Sequence, residues 1–188
     1  HCVASVWDNA TMYCYGGYVG NVDIGTGKII VDGCNISPYI SNMNCHYFVG
    51  GLFGKVLLKN ATLASSIEVR NSNVSTQIIA DKNMGYGNPT SGAHIRSAGI
   101  IGFVGHQYKN IGETNTNNNP PGAIYTTSHA TVIIDNVDID GAVMDMTLSP
   151  QTNVRMMGGL LGYAWCNVDV KLNDINVINE SKLYSRGI

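Results

Sequence analysis

Cysteines have the clearest chemistry in this sequence, because their spacing repeats. The chain has five cysteines, and they form two pairs and a remainder: Cys2 with Cys14, Cys34 with Cys45, and Cys166. We predict a disulfide within each pair, since each pair brackets one connector between repeats. The alternative pairing, Cys2 with Cys34 and Cys14 with Cys45, stays open, because stacked strands bring equivalent residues near the separation that a disulfide needs. Five reduced, buried thiols in a cytosolic protein are the other alternative.

Asparagines form five Asn-x-Ser/Thr sequons, which begin at Asn9, Asn35, Asn60, Asn73 and Asn179. Asn35 and Asn73 hold the same place in two repeats, next to an apolar residue that we expect to face inward. Alternation along a strand then points both asparagines outward, and we predict N-linked glycans at the sequons. The alternative is a ladder of stacked amides, which Asp138 and Asn176 favour at the equivalent place of the other two repeats.

Carboxylates could form the acid pair of a glycosidase if Asp135, Asp138 and Asp174 lined one face of a β-helix. The same places in another repeat hold Arg70, Asn71 and Asn73, as in a solvated turn. The sequence also has no Gly-x-Ser-x-Gly motif and no phosphate-binding loop. We therefore predict that the protein is not an enzyme.

A metal or cofactor site is not expected. The segment 136–141 has the opening spacing of a calcium loop, but Thr147 stands where the bidentate glutamate would be. The five histidines fall in different parts of the chain without paired ligand spacing. The sequence predicts no metal ligands and no cofactor.

A repeated glycine-rich segment must organise these residues. A small pair, two large apolar residues and a glycine occur at 16–20, 50–54, 98–102 and 158–162. A second pattern follows each one, with aliphatic residues at its first, third and eighth places and Asn or Asp at its seventh, at 29–36, 67–74, 132–139 and 170–177. Two patterns in fixed order indicate four internal repeats, at about 16–36, 49–74, 98–139 and 158–183.

The period of the repeats predicts an all-β protein. Apolar residues alternate as in a strand with one buried face, and Asn or Gly then bends the chain. The paired glycines allow a sharp corner or a close backbone approach. Strands that cannot bury their apolar faces alone must stack, so we predict a β-solenoid, similar to a parallel β-helix. A sandwich or propeller-like array of the same repeats is the alternative.

Long insertions separate the repeats, and insertions in a repeat array form surface loops. We place them at Thr76–Arg96 and Gln107–Ser128, with a shorter one between Val143 and Arg155. We expect one β-repeat domain over residues 1–188 that is a piece of a longer chain, because residues 2–5 resemble the end of a repeat and residues 185–188 resemble the start of one.

The composition excludes two classes of protein. A net charge of −2 with 13% charged residues and no basic run argues against nucleic-acid binding. No window approaches 18 apolar residues, so we expect no transmembrane span.

The Gly-Leu-x-Gly core at Gly51–Gly54 and Gly159–Gly162 resembles the GLUG-motif repeats of large surface and adhesin-like proteins. The resemblance covers all four repeats, with Tyr18 and Ile100 in place of the leucine in the first and third. It implies a secreted or cell-surface protein with a structural or adhesive role and no catalytic residues. The cysteines and sequons fit a eukaryotic secreted relative better than a bacterial adhesin.

These features together favour a structural role outside the cell. We predict a subunit of a fibre, filament or surface layer that assembles head to tail with itself, since a repeat array exposes strand edges at its ends. Outward glycans would limit lateral aggregation. The alternative is an adhesin module whose long loops bind a glycan or a protein, with Tyr86, Tyr108 and Tyr125 able to stack on a sugar.

Overall fold

The computed structural model describes residues 3–4, 12–41, 45–58, 65–80, 96–106, 130–145, 147, 156–165 and 168–184. Over these residues the protein is all-β, with eighteen strands and no helix. The strands are β1 Val3–Ala4, β2 Met12–Gly16, β3 Val19–Ile24, β4 Gly27–Asp32, β5 Asn35–Ile36, β6 Tyr39–Ser41, β7 Cys45–Gly50, β8 Phe53–Leu58, β9 Ser65–Val74, β10 Gln77–Ile79, β11 Arg96–Ala98, β12 Ile101–His106, β13 Ala130–Asp140, β14 Val143–Asp145, β15 Met156–Gly158, β16 Leu161–Trp165, β17 Val168–Asn179 and β18 Lys182–Tyr184.

The strands form four parallel sheets, which we call sheets A to D. Sheet A has the order β1-β6-β10-β14-β18, and sheet B has β2-β7-β11-β15. Sheet C has the order β3-β8-β12-β16, and sheet D has β4-β9-β13-β17, with β5 also paired to β9. Each repeat, together with the residues that flank it, thus gives a strand to each sheet, and the strands of successive repeats are neighbours. The predicted all-β class with parallel stacking is confirmed.

The register follows the sequence repeat. In sheet D, Ile67 pairs with Ile29 on one side and with Val132 on the other, and Val132 pairs with Val170. These four residues hold the first place of the second sequence pattern. In sheet B the small residues before the corner align in the same way, at Gly16, Gly50, Ala98 and Gly158. Equivalent residues of the four repeats therefore form columns across the sheets.

The glycine corner between sheets B and C is a backbone ladder. Gly51 N donates to Ala98 O at 3.0 Å, and Leu52 N donates to Ile100 O at 2.9 Å. A Cβ on Gly51 would overlap the carbonyl oxygen of Gly99 and the side chain of Thr76. The corner requires glycine here because two backbones approach closely, as the repeat predicts.

The bend inside sheet D depends on a left-handed residue in every repeat. Positive φ angles of 64°, 50°, 50° and 46° occur at Gly33, Asn71, Asn136 and Asp174. In β9 the buried side chains before the bend include Ile67 and Val69, and those after it are Ser72 and Val74. The bend therefore shifts the alternation by one residue and keeps the apolar face turned to the core. Asn, Asp and Gly tolerate this conformation better than other residues do.

A single hydrophobic cluster contains buried residues from all four repeats, from Ile24 to Leu160. It is made mostly of Val and Ile, whose branched side chains pack well on a pleated surface. A separate aromatic contact joins Phe48 to Phe103, with ring centroids 4.6 Å apart, and Phe103 to Tyr163 at 5.9 Å.

Sheet A corrects the predicted insertions. β10 lies inside the segment Thr76–Arg96, and β14 lies inside the segment after Val143, so both insertions begin with a strand instead of a loop. These strands are three residues long, which is too short for alternation to show in the sequence. Most of both segments, and all of Gln107–Ser128, lies outside the described residues.

Candidate assembly surface

The last described repeat presents its core positions to solvent. Val170, Leu172, Val177 and Leu183 are between 37% and 63% exposed. The residues beside them in the previous repeat are between 0% and 7% exposed, namely Val132, Ile134, Ile139 and Met144. The register makes these side chains equivalent, so they differ in exposure because no further layer covers the last one among the described residues. We call this surface, formed by β15 to β18, the trailing face.

The backbone of the trailing face is also unpaired on one side. Each of its four strands ends the order of its sheet over the described residues. An edge strand carries N–H and C=O groups in the spacing that another strand would pair with. Apolar columns and open backbone groups together make the trailing face suitable for a further layer of parallel strands.

The leading face, formed by β2, β3, β4 and β6 with β1 over part of it, lies at the other end. Its exposed apolar residues are Tyr18, Val19, Ile30 and Tyr39. The side chain of Tyr18 reaches from the start of the first repeat to its end, where its hydroxyl donates to Asn35 O at 3.2 Å. The core positions Ile29 and Val31 are half-buried, so this end is less open than the trailing face.

Charged side chains cover the outer surface of sheet D near the leading face. Lys28 Nζ lies 2.6 Å from Glu68 Oε1, and Arg70 Nε lies 3.0 Å from Asp32 Oδ2. The hydrogen bond from Asn71, and to a smaller extent the charge of Arg70, hold the pKa of Asp32 below its ordinary value, against the opposing effect of desolvation. On the trailing face, β17 exposes Asp169 and Lys171.

A ladder of amides follows the bend of sheet D. Asn136 Nδ2 donates to Asn71 Oδ1 at 2.8 Å, and Asn71 Nδ2 donates to Asp32 Oδ1 at 2.8 Å. A second ladder joins Asn176 to Asp138 at 3.2 Å, and a third contact joins the amide of Asn179 to Asp140. Asp138, which was considered for catalysis, and Asp140, which lies in the segment considered for calcium, thus accept hydrogen bonds from the neighbouring repeat. The sequence indicated a ladder at Asp138, but register was needed to place the one at Asn71.

The sequons differ in accessibility. Asn35 and Asn179 are exposed. Asn73 is half-buried, with a register partner on each side, and its Oδ1 is buried without a hydrogen-bond partner. Asn9 and Asn60 lie outside the described residues. N-glycosylation of the five sites stays a prediction, for which Asn35 offers the freest side chain in the described strands.

The structure describes the backbone at three of the five cysteines, Cys14, Cys34 and Cys45. Cys34 has an exposed free thiol, which donates to Asp32 O at 3.4 Å. In the register of β2 and β7, Cys14 lies beside Phe48, and Cys45 lies beside Met12. Cys2 and Cys166 lie outside the described residues. Both predicted disulfides therefore stay predictions.

A polar groove of about 220 Å³ lies beside the bend of sheet D. It is lined by Gly33, Cys34, Asn35, Asn71, Ser72, Asn73, Asn136 and Asp138. Asp138 is its single carboxylate, so the groove lacks the acid pair that glycoside hydrolysis needs. Asp135 and Asp174 are not part of its lining.

The described residues contain no group of three or more His, Cys, Asp or Glu side chains placed to hold a metal ion. They also contain no helix that could cross a bilayer. The tyrosines considered for sugar stacking, Tyr86, Tyr108 and Tyr125, lie outside the described residues.

Within the described residues, the trailing face is the surface on which apolar core columns and unpaired strand edges occur together. Comparison with protein families, with curated sequences and with solved structures finds no match.

Proposed function

We propose that this chain is a β-solenoid of the extracellular space that serves as the structural subunit of a fibre, filament or surface layer. The trailing face carries this proposal, because the core columns of the protein continue onto it uncovered. A second copy of the chain offers a layer of the same strand order at its leading face. Head-to-tail addition would then build an open filament, since the contact joins two different surfaces.

The register inside the chain specifies the proposed junction. Continuing sheet D by one step places Val170 of one copy beside Ile29 of the next, and Leu172 beside Val31. Aliphatic side chains then meet aliphatic side chains at both places, as they do between every pair of repeats within the chain. The two edge strands would also gain backbone hydrogen bonds in the parallel pattern of the sheet.

Charge favours the same register. The step places Asp169 beside Lys28 and Asn173 beside Asp32, and no two like charges meet between the described residues of β17 and β4. Opposite charges directly across a sheet contribute roughly 0.2–1 kcal/mol each, so their main effect is to select the register and not to supply most of the affinity. The exposed sequons Asn35 and Asn179 lie in the layers that would meet at the junction, so glycans there would have to point sideways from the sheets to restrict contact between the sides of filaments and still allow head-to-tail addition.

The substitution Leu172→Asp tests the proposal. Leu172 is 52% exposed, and burying the other half of a leucine contributes about 1 kcal/mol. An unpaired carboxylate in the junction costs several kcal/mol more. We therefore expect Leu172→Asp to weaken end-to-end association by at least about 100-fold, measured by sedimentation velocity and electron microscopy.

Two matched variants control for changes in the fold. Leu172→Met keeps the volume and the apolar surface, so we expect association close to that of the unchanged chain. Lys171→Gln alters the opposite side of the same strand and should change association less than threefold. Filaments of unchanged length with Leu172→Asp, or a purified chain that stays monomeric at every concentration, would contradict the proposed function.

A further inference from the structure

The second amide ladder of sheet D is interrupted inside the stack. Its column holds Asn35, Asn73, Asp138 and Asn176, which are register partners in that order. Asn176 donates to Asp138 at 3.2 Å, whereas Asn73 Oδ1 is buried without a hydrogen-bond partner. The first ladder, by contrast, is continuous over three repeats. The step from Asn73 to Asp138 therefore needs a further partner.

The side chains at this break present oxygen acceptors to the polar groove beside the bend. Asp138 receives a hydrogen bond at Oδ1, and its Oδ2 receives none among the described residues. Asn136 uses its amide nitrogen in the first ladder, so the atom that it can offer a ligand in the groove is also an oxygen. The hydroxyl of Ser72 and the thiol of Cys34 donate to backbone carbonyls. An ionised carboxylate and an amide oxygen cannot donate to each other, so a cation is the partner that satisfies them together.

The spacing of the two strands at the break fits calcium. Asn73 in β9 and Asp138 in β13 are direct register partners. Neighbouring strands lie about 4.8 Å apart, so an ion midway between equivalent oxygens of the two side chains would lie about 2.4 Å from each. Calcium takes oxygen ligands at about 2.3–2.6 Å, whereas magnesium needs about 2.0–2.1 Å and a nearly ideal octahedron. The register therefore favours the larger ion.

We propose that the polar groove binds one calcium ion between two repeats, with Asn73 Oδ1 and the carboxylate of Asp138 as its ligands. Asn136 offers a third oxygen, and waters complete the shell, because a groove of about 220 Å³ holds several molecules of about 30 Å³ each. Amides supply most of the protein ligands, so the site differs from the clusters of acidic, histidine and cysteine side chains that the described residues lack. The ion completes the interrupted ladder and joins β9 to β13 through their side chains.

Titration of the complete chain with calcium chloride tests the site. A single carboxylate gives a weak site, and we expect one ion per chain with a dissociation constant on the order of 10⁻⁴–10⁻³ M, measured by isothermal titration calorimetry. Magnesium chloride should bind at least about tenfold more weakly. Because the ion binds the folded chain, calcium at a tenfold excess over its dissociation constant should raise the unfolding temperature by about 3–6 °C.

Three substitutions locate the ion. Asp138→Asn introduces the residue that the other three repeats hold at this place, so the fold should tolerate it, and we expect calcium affinity to fall at least about tenfold. Asp135→Asn is the matched control, because it removes the same charge outside the groove lining and should change affinity less than about twofold. Asn73→Asp adds a second carboxylate. It should lower the unfolding temperature without calcium, since like charges then meet across the strands, and should tighten calcium binding at least about tenfold.

Three results would overturn the site. The first is the absence of both a saturable heat and a thermal shift up to 10 mM calcium, about ten times the weakest expected dissociation constant. The second is an equal loss of affinity in Asp135→Asn and Asp138→Asn, which would indicate general attraction to negative charge. The third is an Asn73→Asp chain that is destabilised and gains no affinity for calcium, which would show that the Asn73 amide donates directly to Asp138. None of these results bears on head-to-tail assembly, which is measured separately.

Discussion

The left-handed bend of sheet D gives a quantitative test through Asn136. This residue has a φ of 50°, and its amide donates to Asn71 Oδ1 at 2.8 Å. An alanine held in this conformation costs about 1–2 kcal/mol, part of which asparagine avoids. Loss of the exposed hydrogen bond adds about 0.5–1.5 kcal/mol. We therefore expect Asn136→Ala to lower the free energy of unfolding by about 2 kcal/mol.

Asn136→Gly separates the backbone from the hydrogen bond. Glycine adopts the bend without strain but loses the same amide. Its greater conformational entropy in the unfolded chain also lowers the free energy of unfolding by about 0.4–1 kcal/mol. We expect Asn136→Gly to cost about 1 kcal/mol, so that it is more stable than Asn136→Ala despite its smaller side chain. Urea unfolding followed by circular dichroism measures both values. Equal stability of the two variants, or a more stable alanine variant, would show that the bend imposes no backbone requirement and would refute the reasoning.

Two further predictions concern the glycine corner and the charged surface. Gly51→Ala should lower the free energy of unfolding by about 3 kcal/mol or more, because the new methyl group would overlap a backbone oxygen that cannot move away. Gly25→Ala, whose new methyl group meets no described atom within 4 Å, should stay within about 0.5 kcal/mol of the unchanged chain. Thermal unfolding compares the two variants. Asp32 has a lowered pKa in the folded chain, so its contribution to stability is present above the pKa of an unfolded aspartate and is lost as the pH falls through the lower folded value. A carboxyl titration by NMR should place its midpoint below that of an unstructured aspartate, and Asn71→Gly should raise it; a midpoint that does not move would show that the amide hydrogen bond has no such effect.

The stacking register of this fold could be predicted from the sequence, whereas sheet A could not. Positions such as Ile67 and Val132 share a place in a pattern with a period of two, and a parallel sheet aligns equal places directly. The bend was predictable as a bend, because Gly33 stands where other repeats have Asn or Asp, and these residue types share a tolerance for positive φ. The three residues of β10 carry no such pattern, and their strand exists only because β6 and β14 lie on either side.

The existence of an exposed end face could be predicted from the sequence, but the side chains that form it could not. Any stacked array leaves its last layer uncovered, so the sequence indicated exposed ends without a structure. Which side chains stay exposed depends on the register between strands and on how far each side chain lies from the last layer. Contacts such as that of Lys28 with Glu68 join residues that lie 40 positions apart in the sequence, so they need the three-dimensional register. Strand β1 is two residues long, and its pairing with β6 cannot be read from alternation in so short a segment.

In the proposed head-to-tail assembly, one column of equivalent residues would contribute both to folding and to the contact between copies. Ile134 and Leu172 are partners in one column, and only the position within the column separates a fully buried side chain from an exposed one. An acidic residue at Ile134 would place an unpaired charge in the core and prevent folding. Leu172 is 52% exposed, so the same acidic residue there keeps access to water and costs the folded chain much less, and its larger cost comes when a further layer covers it. An apolar side chain in this column is therefore needed for folding in the interior of the stack, and, under the proposed assembly, for association at its end. The same acidic substitution made at Ile134 and at Leu172 separates the two effects.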